Sequence, residues 1–114
     1  MPGASNIARN SGLIDKLKAQ KASGRWIAAI CASPTVVFHN MQVTDVEKMT
    51  CYDWADFRHP LKDAKVFEDA RVVVSGKCIT SVGPGSAIEF SLALVEQLMS
   101  KTKADEVANS LMLP

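Results

Sequence analysis

Between Ser11 and Ala22 the apolar residues Leu13, Ile14 and Leu17 recur at helical spacing while Asp15, Lys16, Lys18 and Gln20 face away. This predicts an amphipathic surface helix of about three turns. Asn10 or Ser11 can cap its start, and Gly24 stands where a helix end favours a left-handed residue. The run Arg25 to Cys31 follows, apolar from Trp26 onward without alternation, as expected of a strand buried on both faces of a parallel sheet. Ser33 as N-cap and Pro34 at the first helical position then predict a new helix running through Thr35 to His39. A strand set between two helices predicts an α/β layered domain.

The remaining chain is less regular. The opening residues Met1 to Asn6 read as a loop, because Pro, Gly, Ser and Asn punctuate structure. Lys48 to Thr50 is a short strand candidate, Tyr52 to Pro60 an irregular aromatic stretch, and Leu61 to Val66 another short element. Arg71–Val74 and Lys77–Thr80 predict two strands joined through Ser75-Gly76, a hairpin junction. Gly83-Pro84-Gly85 is a turn, and Ser86-x-x-Glu89 has the form of a capping box opening a helix. Ile88, Leu92, Val95 and Met99, widened by Phe90, Leu94 and Leu98, make that helix a core element. Asp105 to Met112 predicts a last helix with Val107, Leu111 and Met112 as its buried side.

Composition narrows the function classes. At 114 residues the chain holds one domain at most, and 47% hydrophobic residues is ordinary for a globular core. A net charge of +1 offers no electrostatic case for nucleic acid or a membrane surface. No apolar run approaches the roughly 20 residues of a bilayer span, and no secretory signal opens the chain. Cysteines at 31, 51 and 78 match neither a disulfide framework nor a zinc pattern, which favours a reducing cytoplasm.

The chemistry concentrates at Cys31. Strand, Cys, Ala, Ser, Pro, helix is the layout of a nucleophile elbow, in which a sharp turn presents the side chain at the carboxyl edge of a sheet. A following helix N-terminus favours negative charge, which makes the thiol thiolate-prone, and the N–H of Ala32 can serve an oxyanion. Against this stands the ordinary role of free cysteine as a small buried apolar residue. Cys78, inside a strand, is read as core, and Cys51 is ambiguous, with a structural role favoured. His39 falls about two turns beyond Cys31, too far to serve as its base, and His59 precedes Pro60 in a surface loop. Gly83-Pro84-Gly85 lacks the spacing of a phosphate loop.

The segments Ala28-Ala29-Ile30-Cys31-Ala32-Ser33-Pro34-Thr35 and Ile79-Thr80-Ser81-Val82-Gly83-Pro84-Gly85-Ser86-Ala87-Ile88-Glu89-Phe90 closely resemble the ThiJ/PfpI family. Within it the chain looks like the branch of the Parkinson-disease deglycase and its bacterial relatives. The resemblance runs from Met1 to about Leu113 and implies a flavodoxin-like, class I glutamine amidotransferase-like three-layer sandwich. Residues 1–114 then form the C-terminal part of one such domain, without its N-terminal strands and helices: a fragment, or one piece of a longer chain.

The resemblance further implies a cofactor-free, metal-free glyoxalase or deglycase acting on methylglyoxal, glyoxal and their adducts, with Cys31 as nucleophile. Oxidation of the same thiol in stress sensing, or a redox-dependent chaperone role, are the other activities it implies. Gly3 corresponds to the first glycine of the family's Pro-Gly-Gly loop and Ala4 stands in place of the second. Gly3 and Ala32 then supply oxyanion N–H groups, with Ala4, Ser33 and Tyr52 as neighbours. Tyr52 occupies the place of a histidine found in some members, and Val82 that of an arginine found in one branch. The glutamate that hydrogen-bonds the family's cysteine belongs to the missing part. The implied partners are a small dicarbonyl or glycated adduct and either a second copy or the absent segment. An inactive truncated form that must associate with another polypeptide is the alternative if that segment is absent, since the central strand then bares an unpaired edge.

Overall fold

Asn10 accepts the Leu13 N–H on its side chain at 3.0 Å and so starts α2, Ser11–Ala22, while Gly24 leaves it at φ +77. The computed structural model describes residues 2–114, and Met1 lies outside the described residues. Pro2–Ala8 is a helix, α1, and not the expected loop: Pro2 fits a first helical position, and burial of Ala4 with Ile7 and Ala8 packed on the core outweighs the turn-like composition.

Ile27–Ile30 forms β1, shorter than the predicted run. It pairs in parallel with β3, Cys78–Ser81, which pairs antiparallel with β2, Val72–Ser75, giving the order β1-β3-β2. The hairpin loop is Gly76-Lys77, one residue beyond the expected Ser75-Gly76, with Gly76 at φ +58.

Strand β1 is not buried on both faces: Ile27 and Ala29 are, whereas Ala28 and Ile30 are half-buried. Its Ile27 and flanking Cys31 N–H groups bond to Lys77 and Ser81 of the β3 side. Alternation therefore turns the N–H groups of Ala28 and Ile30 toward an edge that no strand covers among the described residues.

Beyond the elbow, Pro34–His39 is a π-helix, with the Asn40 N–H reaching back to Thr35 at 2.9 Å. Its Val37 and Phe38 join Ile27, Ala29 and Cys78 in the core. The predicted strand at Lys48 to Thr50 reduces to a single parallel bridge, Met49 to Phe67. The irregular stretch is instead helix α3, Ala55–Asp63, which contains His59-Pro60. Phe57 and Leu61, four residues apart and buried, hold it against the π-helix, and Thr35 donates to the Phe57 carbonyl at 2.7 Å.

A short 3-10 turn, Pro84–Ser86, leads into α4, Ala87–Leu98, and then α5, Lys101–Ser110. The capping box does not form. Ser86 is buried and bonds Ser81 at 2.6 Å and the Gly83 carbonyl at 3.0 Å, while Glu89 faces Arg71 in a two-pronged pair at 2.7 and 2.9 Å. Ser81 shares its sheet face with Ile79, so its bond to Ser86 sets α4 on that face, opposite the Cys78 core. Contrary to expectation, α4 is not a core helix: it has no fully buried residue, and Ile88, Leu98 and Met99 are exposed. The last helix begins four residues earlier than predicted and buries Ala104, leaving Leu111 and Met112 in solvent. No helix of the described residues is long and apolar enough to cross a membrane.

Candidate active site

Cys31 adopts φ +68, a left-handed conformation that costs a non-glycine residue roughly 1 kcal/mol. Both of its backbone groups are pinned there: its N–H donates to Ser81 at 3.0 Å and its carbonyl accepts from Tyr52 at 2.7 Å. The side chain is half-buried at the carboxyl end of β1. Strain enforced by the sheet on one side and the 50–52 segment on the other is the geometry of a nucleophile elbow.

Ala32 follows with its carbonyl accepting from Val36 at 2.9 Å, while its N–H meets no partner among the described residues. That leaves one donor beside the thiol for an oxygen carrying developing charge. Ser33 stands at the expected N-cap position before Pro34, but its backbone is already helical (φ −64, ψ −34) and its side chain makes no capping bond. The helical turn starts at Ala32.

Gly3, Ala4, Cys31, Ala32, Ser33 and Tyr52 all line one cleft of about 400 Å³, together with Ile30, Trp54, Phe57 and Pro84. Gly3 and Ala4 enter it from the first turn of α1, where backbone N–H groups have no carbonyl partner within the helix. The opposite wall is aromatic, with Trp54 edge-on to Phe57 at 5.8 Å between ring centres. No side chain lining the cleft carries a charge among the described residues. The cleft therefore supplies a thiol, the Ser33 and Tyr52 hydroxyls, backbone donors and apolar surface, and no carboxylate or imidazole among the described residues.

A larger hollow of about 610 Å³ lies at the far end of the π-helix, lined among others by His39, Gln42 and Asp45. It contains no thiol, so size does not make it the site of cysteine chemistry. His59 is exposed on α3. Cys78 is buried, and burial pushes its thiol up to about 12. Cys51 is fully enclosed and its thiol is raised by the same cause, opposed by the Thr35 hydroxyl. No group of three or more His, Cys, Asp or Glu side chains able to hold a metal occurs among the described residues.

Sequence reasoning missed Trp54 and Phe57 as cleft residues. Their signal was the aromatic cluster between Tyr52 and Phe57, which becomes legible once α3 is known to run through it.

A half-buried, strained cysteine at the carboxyl end of a β-strand in an α/β fold defines a class of elbow proteins, and the comparisons identify which. Residues 1–97 match the DJ-1/PfpI family, and the chain belongs to that family. It is 37% identical to Protein DJ-1 homolog B of Arabidopsis thaliana, over 99% of this chain and 25% of that protein. It is 39% identical to the glutathione-independent glyoxalase DJR-1.2 of Caenorhabditis elegans, over 99% of this chain and 57% of that one. Among solved structures, oxidized Toxoplasma gondii DJ-1 superposes with a TM-score of 0.86 at 42% identity, covering 98% of this chain and 59% of its own. Drosophila melanogaster DJ-1beta does so at 0.86 and 35% identity, covering 100% and 60%. The chain thus spans between a quarter and three fifths of these relatives' lengths.

Proposed function

We propose that this chain carries the nucleophilic half of a cysteine-dependent glyoxalase or deglycase, acting on methylglyoxal, glyoxal and their adducts. The observation that carries the reading is the strained Cys31 with the unpaired Ala32 N–H beside it, in an uncharged cleft. The nematode relative, a glutathione-independent glyoxalase by name, supports the glyoxalase part of this reading.

The Cys31 sulfur adds to the aldehyde carbon of the dicarbonyl, and the new oxyanion takes hydrogen bonds from Ala32 and, with a small approach of α1, from Gly3. A proton then moves from that carbon to its neighbour, and water releases the thioester as a 2-hydroxy acid. Oxidation at one carbon balances reduction at the next, so no cofactor takes part. The proton needs a carrier, and no carboxylate or imidazole lines the cleft among the described residues. We assign it to a glutamate in the part of the family fold that this chain does not span.

The test is lactate formation from methylglyoxal without glutathione, with that remaining part supplied. Wild type should turn over and Cys31→Ala should not; equal rates would sink the reading.

A second reading is oxidative-stress sensing or a redox-regulated chaperone role through Cys31, favoured by the oxidized state in which the Toxoplasma gondii relative was solved. Three unpaired thiols suit a reducing compartment such as the cytoplasm. The proposed macromolecular partner is a second copy or the remainder of the fold along the open edge of β1, which light scattering of the purified chain with and without that remainder would reveal.

A further inference from the structure

One buried nucleophile has no part in the mechanism above. Cys51 lies beside the elbow because the Tyr52 N–H donates to the Cys31 carbonyl at 2.7 Å. Each Cα lies about 2.4 Å from its bonded atom, so the Cα atoms of Cys31 and Cys51 are at most about 7.5 Å apart. A disulfide spans roughly 4.4–6.8 Å between Cα atoms, within or just below that limit. Thr35, one helical turn after Cys31, also neighbours the Cys51 sulfur. Cys78 has no such access: it pairs with Ile27, four residues back along β1, about 13 Å from the elbow.

We propose that Cys51 is the resolving thiol of Cys31, and that a hydroperoxide converts the pair into an intramolecular disulfide that reversibly closes the site. The proposal rests on the reading of Cys31 as a reactive thiol. In the first step the Cys31 sulfur attacks the peroxide: an S–O bond forms, the O–O bond breaks, and hydroxide or alkoxide leaves with a proton. In the second, the Cys51 sulfur attacks the Cys31 sulfenic acid: the S–S bond forms, the S–O bond breaks, and the departing oxygen takes the Cys51 proton to leave as water. Two thiols are oxidised and one peroxide is reduced.

The local structure permits the second step. Cys51 sits in a segment anchored by the Met49–Phe67 bridge and the bonds of Thr50 and Tyr52, outside any strand ladder, so joining it to Cys31 breaks no strand pairing. Cys51 is enclosed at rest, where burial keeps it protonated and out of reach of solvent oxidants. Cys31, half-buried in the cleft, meets the peroxide first. Without a resolving thiol the sulfenic acid runs on to sulfinic acid, which ordinary thiols do not reverse.

The test treats purified protein with one equivalent of hydrogen peroxide, blocks free thiols under denaturing conditions, and maps tryptic peptides without reduction. The expected product is residues 26–48 joined to residues 49–58, returned to free thiols by dithiothreitol, with residues 78–101 carrying a blocked Cys78. In Cys51→Ser, and equally in Cys51→Ala with unchanged circular dichroism, Cys31 sulfinic acid should rise about tenfold over wild type. Wild type with Cys51 blocked and Cys31 as sulfenic or sulfinic acid overturns the proposal and leaves the reactive thiol standing. A link to Cys78 or between two copies also overturns it. A dimedone probe that finds no sulfenic acid at Cys31 in Cys51→Ser removes the proposal together with the reading beneath it.

Discussion

Tyr52 lies against Gly83, so closely that a methyl group added to the glycine would sit 3.3 Å from Cδ2 of the ring. The contact joins the segment bonded to the Cys31 carbonyl with the turn that leads into α4, and Tyr52 and Pro84 both line the cleft. Gly83 is extended, so any residue can take its backbone, and crowding of the ring is the whole effect of substitution. Tyr52 is 41% exposed and can give way outward. Gly83→Ala should therefore lower stability by less than about 1 kcal/mol, at the small end of overpacking costs. It should change the alkylation rate of Cys31 by iodoacetamide, since one wall of the cleft moves. An unchanged rate would show that Tyr52 does not shape access to the thiol.

The elements legible in the sequence are those whose local pattern and final burial agree. Helix α2 has its cap at Asn10 and its left-handed Gly24, and the elbow follows from an apolar run that ends at Cys31 before Ser33-Pro34. Helix α3 was hidden because His59-Pro60 reads as a stop, while Phe57 and Leu61 are buried in a core that includes the π-helix, distant along the chain. The opening helix was hidden likewise, its composition arguing for a loop and its packing against the π-helix being non-local. Helix α4 failed in the opposite sense: its apolar stripe predicts a core that residues 2–114 do not supply. Of the cleft, Cys31, Ala32 and Ser33 are contiguous and could be read together. That Gly3, Ala4 and Tyr52 join them came from family resemblance, because no spacing along the chain brings α1 beside residue 52.

Ser86 and Glu89 separate the capping box from the observed arrangement. Ser86 is buried, bonded to Ser81 and to both backbone groups of Gly83. Ser86→Ala removes these bonds and leaves the buried Gly83 N–H unpaired, costing about 1–3 kcal/mol. Glu89 instead meets Arg71 on the surface, and that guanidinium holds its carboxyl below the ordinary range. Solvent and salt screen such a pair. Glu89→Gln should hardly move the urea midpoint and Ser86→Ala should move it clearly; comparable shifts would restore the capping box.

The left-handed backbone at Cys31 predicts a conflict between stability and chemistry. Glycine takes φ +68 without the clash of a Cβ, whereas alanine retains it. Cys31→Gly should be more stable than Cys31→Ala by about 1 kcal/mol, less the entropy that glycine adds to the unfolded chain. Both should be inert toward iodoacetamide at this position. If alanine proves the more stable, the elbow relaxes in solution and the strain assigned to it is absent.

Alkaline pH isolates the buried thiols. Burial raises Cys78 from 9.0 to about 12 and raises Cys51 in the same direction, so the folded protein keeps protons that the unfolded chain gives up. Below about pH 9 both states hold these protons and stability is independent of them. As pH rises from 9 toward 12 the unfolded state binds fewer protons than the native one, and stability falls, by up to about 1.4 kcal/mol per pH unit for each fully shifted group. Urea midpoints between pH 8 and 11 should decline. Cys78→Ala, less stable at neutral pH through lost packing, should decline less steeply because one of the titrating groups is gone. Parallel slopes for wild type and Cys78→Ala would mean that the Cys78 thiol reaches water in the folded state, against its enclosure between β1 and the core beneath it.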